Sequence, residues 1–234
     1  IIPVSSSDAA EMVKLLENTF RSVNIALVNE MAMICERLGL DVWEIIRAAS
    51  TKPFGFMPFY PGPGVGGHCI PIDPHYLAWK LRSLNFYAHF IELAGEVNFR
   101  MPNFVIDGIV KHLNRSGKAL RGANVLILGV SYKEDISDLR ESPAIDVMRL
   151  LIEWGANVVY NDPIVPKFLW QNEYIESAEL TEELLNSVDI AVLITGHSQY
   201  DYNWIAKNAP LIYDSRNAFE AVPDPDGKIA TLGT

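Results

Sequence analysis

Cysteine is scarce in this chain: only Cys35 and Cys69, far apart among 234 residues. That excludes a disulfide framework and fits a reducing, cytoplasmic setting. Positive charge is scarce too. The 19 Lys and Arg stand against 29 Asp and Glu, for a net charge of −10. This balance argues against a general nucleic-acid surface or a polybasic membrane contact, so a bound anion has to draw on local cations. No apolar run reaches membrane-spanning length. The glycine-rich turn GxGxxG, the usual dinucleotide fingerprint, is missing as well. The chain opens on Ile1-Ile2-Pro3-Val4 without Met, which reads as a strand tail or linker and suggests a piece of a longer protein.

What is present is enough to fold. Apolar residues make up 49% of the chain, which supports real cores. Asp8, with Glu11 three residues on, predicts a helix start. Met12, Leu15, Leu16, Phe20, Val23, Leu27, Met31, Ile34 and Leu38 then recur at helical spacing until Gly39. That helix is long for a globular domain and suggests a spine or dimer element, with Cys35 in its core. Further helices are expected over 42–50, 76–84 and 90–114. From residue 117 the pattern alternates. Apolar runs at 125–130, 158–160, 190–194 and 211–213 read as buried parallel strands, with helices over 143–154, 181–188 and 204–208 between them. The expected fold is an all-α domain, residues 1–116, followed by a Rossmann-like doubly wound α/β domain, residues 117–234. Ligands in such a sheet sit beyond the carboxyl ends of the strands, where Lys133, Asp162, Thr195 and Arg216 fall.

The chemistry-bearing text is the loop Phe59-Tyr60-Pro61-Gly62-Pro63-Gly64-Val65-Gly66-Gly67-His68-Cys69-Ile70-Pro71-Ile72-Asp73-Pro74. Glycine admits close backbone approach and proline fixes φ, so the loop holds one shape. It presents a thiol with a carboxylate, Asp73, four residues on, a pattern that suits covalent catalysis. Cys69 as a small buried hydrophobe in a connector fits the same text. A metal site built from His68, Cys69, Asp73 and His75 ranks third, since no second Cys/His pair exists. Lys14 and Asn18 are spaced i, i+4 and share a helix face. By spacing alone they read as an ordinary solvated pair. His89, His112 and His197 carry no spacing signal and are expected on the surface or on helix faces.

Three stretches carry a family resemblance. Ala10 to Phe20 resembles the central helix of the UDP-glucose/GDP-mannose dehydrogenase family. Gly66-Gly67-His68-Cys69-Ile70-Pro71-Ile72-Asp73 is similar to its catalytic loop. Gly129-Val130-Ser131-Tyr132-Lys133-Glu134-Asp135, with Asp138-Leu139-Arg140-Glu141-Ser142-Pro143, resembles the signature that opens its C-terminal domain. The loop text over 54–64 is most similar to the UDP-N-acetylglucosamine 6-dehydrogenase branch.

The resemblance implies oxidation of the C6 alcohol of a UDP-sugar to a carboxylate with two NAD⁺. Cys69 would carry a thiohemiacetal and then a thioester. Lys14 and Asn18 would hold the oxyanion, and Asp73 would activate or orient water. Gly66, Gly67, Lys133 and Arg216 are the implied substrate contacts, and Arg140 the contact to the NAD pyrophosphate. A homodimer through residues 8–38 is implied too. The NAD-binding domain of the family is expected to lie outside this chain. Some relatives carry Lys immediately before the loop carboxylate, where this chain has Ile72. Two rivals stand beside this expectation. One is an inert dimerisation and UDP-sugar-binding fragment. The other is a stand-alone thiol hydrolase using Cys69 and a His.

Overall fold

The computed structural model describes residues 1–234. Its first helix, α1 (Ser7–Leu38), is capped by Ser6, whose Oγ accepts from the Ala9 N–H. Asp8, which marked the expected helix start, lies in the first turn, where its charge meets the positive end of the helix dipole. Gly39 ends the helix in the left-handed conformation at φ +67°. The helices α2 (Val42–Ala49), α3 (Asp73–Arg82) and α4 (His89–Arg115) follow. They match the expected helices, with α3 starting earlier, at Asp73.

The buried face of α1 is not the bulky apolar stripe. Asn18, Ser22, Ala26, Val28, Asn29, Ala32 and Cys35 face inward, while Leu16 and Leu27 are 67% and 54% exposed. Small side chains let α1 run close against α4 and turn the large ones outward. Pro102 lies within α4 and is accommodated there, fully inside the fold.

After residue 116 come β1 (Asn124–Leu128), α5 (Pro143–Glu153), β2 (Asn157–Asn161), β3 (Lys167–Trp170), β4 (Glu173–Glu176), α6 (Glu182–Ser187), β5 (Ile190–Leu193), α7 (Tyr202–Asn208), β6 (Ile212–Asp214) and β7 (Ile229–Thr231). Five strands form one parallel sheet in the order β2-β1-β5-β6-β7. Alternate residues of β1 point to opposite faces. Val125 and Ile127 join the core with α4 and α5, and Leu126 and Leu128 join the core under α6 and α7. The doubly wound sheet is as expected. The β3–β4 hairpin and edge strand β7 are additions. The hairpin turns on Gln171 and Asn172, both at positive φ (46° and 74°), the geometry of a two-residue turn.

The helical and sheet halves share one core. A single buried cluster runs from Ala32 and Trp43 through Ile106 and Ile109 of α4 to Ile127 and Val192 of the sheet. Gly108 of α4 admits the Tyr213 ring of β6, which a Cβ would overlap. Chain order reverses between β1 and β5: β2 lies on one side of β1 and β5 on the other. A crevice opens beyond the carboxyl ends of strands at such a point.

Candidate active site

Buried amides hold the cysteine loop. Asn29 Oδ1 accepts from the Gly62 N–H at 3.0 Å, and Asn29 Nδ2 donates to Asn98 Oδ1 at 2.9 Å. Asn98 in turn donates to the Ser22 carbonyl. Asn29 and Asn98 are both buried, so this neutral network clamps α1, α4 and the loop without burying a charge. No spacing rule singled them out, because their partners are distant in sequence.

Cys69 is half-buried and leads into α3, its carbonyl accepting from the Asp73 N–H at 2.8 Å. Asp73 Oδ2 accepts from Asn18 Nδ2 at 2.7 Å. The Asn18 Oδ1 accepts from Arg21. A carboxylate only accepts and a guanidinium only donates, so the two partners fix which way the amide faces. The second Asn18 N–H has no partner within the chain, and the residue is 1% exposed. Lys14, one turn earlier on α1, is exposed. The structure therefore brings Asn18 and Asp73 into contact at the start of α3, within the turn that carries Cys69. Sequence reading missed Arg21, whose role shows only through its contact.

Gly66 and Gly67 form the seam with the sheet half. A Cβ on Gly66 would lie 2.6 Å from Tyr132 Cβ and 2.7 Å from the Glu141 carbonyl. Gly67, at φ +89°, donates its N–H to the Arg140 carbonyl at 3.0 Å. The glycines thus seat the cysteine loop on the 132–141 segment. His68 Nε2 lies 3.3 Å from Asp138 Oδ2. Arg140 is exposed and bound to Asp138 through Nε and Nη2, at 3.1 and 2.7 Å. The Arg140 side-chain hydrogen bonds take the Asp138 carboxyl down to about 2. Arg140 stands just before Ser142, the cap of α5.

A cleft of about 310 Å³ opens at the β1/β5 crevice, lined by Tyr132, Lys133, Glu134, Thr195, Gly196, Arg216 and Ala218, so one carboxylate stands beside its two cations. Arg216 Nε donates to the Ile194 carbonyl at 2.9 Å, and its Nη1 lies against Gly62, where a Cβ would sit 2.5 Å away. Burial lowers its pKa to about 10, which leaves the guanidinium charged at neutral pH. Lys133 is exposed at the cleft.

One histidine differs from expectation, and another lies on a helix as expected but on its buried face. His112 is buried on α4 against the Lys228 carbonyl at 2.9 Å. His197 is fully buried beside Asp162, with Nε2 3.0 Å from Oδ2. Burial alone would raise the Asp162 carboxyl, but the His197 hydrogen bond and backbone N–H groups outweigh it and hold it below the usual range. A lone His in sequence gives no hint of a carboxylate that only the sheet brings near.

Residues 8–100 match the UDP-glucose/GDP-mannose dehydrogenase family, central domain, and residues 126–221 match the UDP binding domain of that family. The chain is 38% identical over 228 residues to a UDP-N-acetyl-D-mannosamine dehydrogenase of Methanococcus maripaludis, covering 94% of this chain and 50% of that one. It is 36% identical to the UDP-N-acetyl-D-glucosamine 6-dehydrogenase of Salmonella typhi, covering 92% and 52%. The fold is similar to the UDP-D-ManNAc dehydrogenase structure from Pyrococcus horikoshii, with a TM-score of 0.82, 32% identity and coverage of 96% and 52%. The chain spans about half the length of these relatives.

Proposed function

Because this chain belongs to the UDP-glucose/GDP-mannose dehydrogenase family, we propose that it is part of an NAD-dependent enzyme that oxidises C6 of a UDP-sugar to the uronic acid. The observation that carries this reading is the seam. The turn bearing Cys69 and Asp73, tied to Asn18 of α1 through Asp73, is seated by Gly66 and Gly67 on the segment that brings Lys133 to the cleft. Residues 1–116 supply the nucleophile and the dimer face, and residues 117–234 hold the UDP moiety.

In this reading Lys133 and the free N–H groups of Arg216 hold phosphate oxygens. The Cys69 thiolate adds to the C6 aldehyde. The remaining Asn18 N–H and the Lys14 ammonium stabilise the oxyanion so formed. After oxidation to the thioester, Asp73 takes a proton from water, which attacks and releases the acid. NAD is the hydride acceptor for these oxidations. Toward it this chain offers Arg140 alone, already paired with Asp138, and no glycine-rich turn to cradle a pyrophosphate. These residues do not make a dinucleotide site by themselves.

The sugar is an N-acetylhexosamine. The loop over 54–64 favours UDP-N-acetylglucosamine, while the mannosamine names among the relatives favour its epimer. Comparing both sugars as substrates of the full-length enzyme separates them. The test of the binding half is calorimetry on the 234-residue chain. UDP binds weakly and in a salt-sensitive way, and NAD binding is negligible. Tight NAD binding or hydride transfer by this chain would refute the assignment. The dimer runs through the outward apolar residues of α1, including Leu16, Phe20 and Leu27. Light scattering that gives a clean monomer at micromolar concentration refutes it.

A further inference from the structure

The Asp162–His197 pair takes no part in the chemistry above, and both side chains are wholly buried. Asp162 Oδ2 accepts from the Val130 N–H at 2.8 Å and lies 3.3 Å from that of Ser131. Its Oδ1 accepts from Ile164 and Val165, both at 2.9 Å. His197 Nδ1 lies 3.0 Å from the Asp135 backbone N. That N–H can only donate, so Nδ1 carries the lone pair, and Nε2–H donates to Asp162. One neutral imidazole therefore ties the far end of segment 130–135 to the carboxylate that holds its near end.

The residues between are braced as well. Thr195 Oγ1 donates to the Ser131 carbonyl at 2.6 Å, and Ser131 Oγ donates to the Lys133 carbonyl at 2.7 Å. Ser198 N–H donates to Asp135 Oδ1 at 3.0 Å. Asp135 sits at φ +59°, in the left-handed region that favours glycine. A non-glycine residue persists there when its surroundings over-determine it. The Lys133 side chain is exposed, so only its backbone fixes where the ammonium starts.

We propose that His197, with Asp162, is a positioning residue that aims Lys133 at a phosphate of UDP by fixing the backbone of residues 130–135. This rests on the reading of Lys133 as a substrate contact. The test is calorimetric titration of the 234-residue chain with UDP, for wild type, His197→Gln, Lys133→Ala and the double variant. Gln keeps an N–H for Asp162 but offers no acceptor at the Nδ1 position. Each single change weakens UDP by about tenfold, the scale of one charge-assisted hydrogen bond. The double variant binds no more weakly than Lys133→Ala alone, because the two act through one contact. Two independent factors that multiply overturn the proposal, since a merely structural His197 gives that result. Lys133→Ala with unchanged affinity, or a wild type that ignores UDP, overturns the underlying reading and the proposal with it. If thermal unfolding shows that His197→Gln does not fold, Ser131→Ala takes its place in the cycle: a double variant no weaker than Lys133→Ala supports the proposal, and multiplying factors overturn it.

Discussion

The two halves of the molecule hold their functional loops by different physical means. In the helical half, neutral amides do it: Asn29 and Asn98 clamp the glycine–proline loop, and Asn18 bridges Asp73 and Arg21. In the sheet half, a buried carboxylate does it, collecting backbone N–H groups and one imidazole. An amide gives and takes hydrogen bonds with little desolvation penalty, so it can sit between helices. A carboxylate is worth burying only where several N–H groups converge. Strand ends supply that convergence and packed helices do not. The helical half also relies on residue shape, through glycine and proline, where the sheet half relies on charge.

The largest effect separates the halves by chemistry. In the full-length protein Cys69→Ser abolishes acid formation, a loss of about a thousandfold or more. Acid production at the wild-type rate would remove the helical half from the reaction. Cys35→Ser, at a buried core position of α1, leaves turnover near wild type in the same assay.

The next two sharpen the comparison by stability. Asp162→Ala orphans at least three buried N–H groups and costs about 3 kcal/mol or more. Asn29→Ala orphans fewer neutral partners and costs about 2 kcal/mol. Urea unfolding of both variants checks the order, and a reversal would mean that the amide clamp is the stronger device. The pH dependence differs as well. Asp162 has a lowered folded pKa, so its stabilisation is present above the unfolded carboxyl value of about 3.9 and is lost as pH falls through the folded value. The gap between wild type and Asp162→Asn therefore narrows on acidification below about pH 4, whereas Asn29→Ala keeps a constant gap.

A local effect lies at the seam. Gly66→Ala places a methyl against Tyr132 and the Glu141 carbonyl and costs about 1–3 kcal/mol through local displacement. Its loss of turnover in the full-length enzyme exceeds that of Gly117→Ala, where an added Cβ meets no neighbour and only the positive φ is strained. Equal effects at the two glycines would show that the halves do not need to meet closely there.

Sequence by itself determined the helix–sheet order, the Gly39 stop, the parallel strands and the loop presenting Cys69 beside Asp73. Each follows from local periodicity, backbone freedom or the type of neighbouring residues. It also placed Lys133, Thr195 and Arg216 at strand ends, because the run of each strand fixes where it ends. Tertiary structure decided the rest. It turned the bulky face of α1 outward, since close helix approach is a property of two helices rather than one pattern. It set Gly66 and Gly67 against Tyr132 and Glu141, and it assembled Arg21, Asn98, Asp162 and His197 into the frame of the site. Those partners lie tens of residues apart, and a hydrogen bond between distant residues leaves no period in the chain for a reader to find.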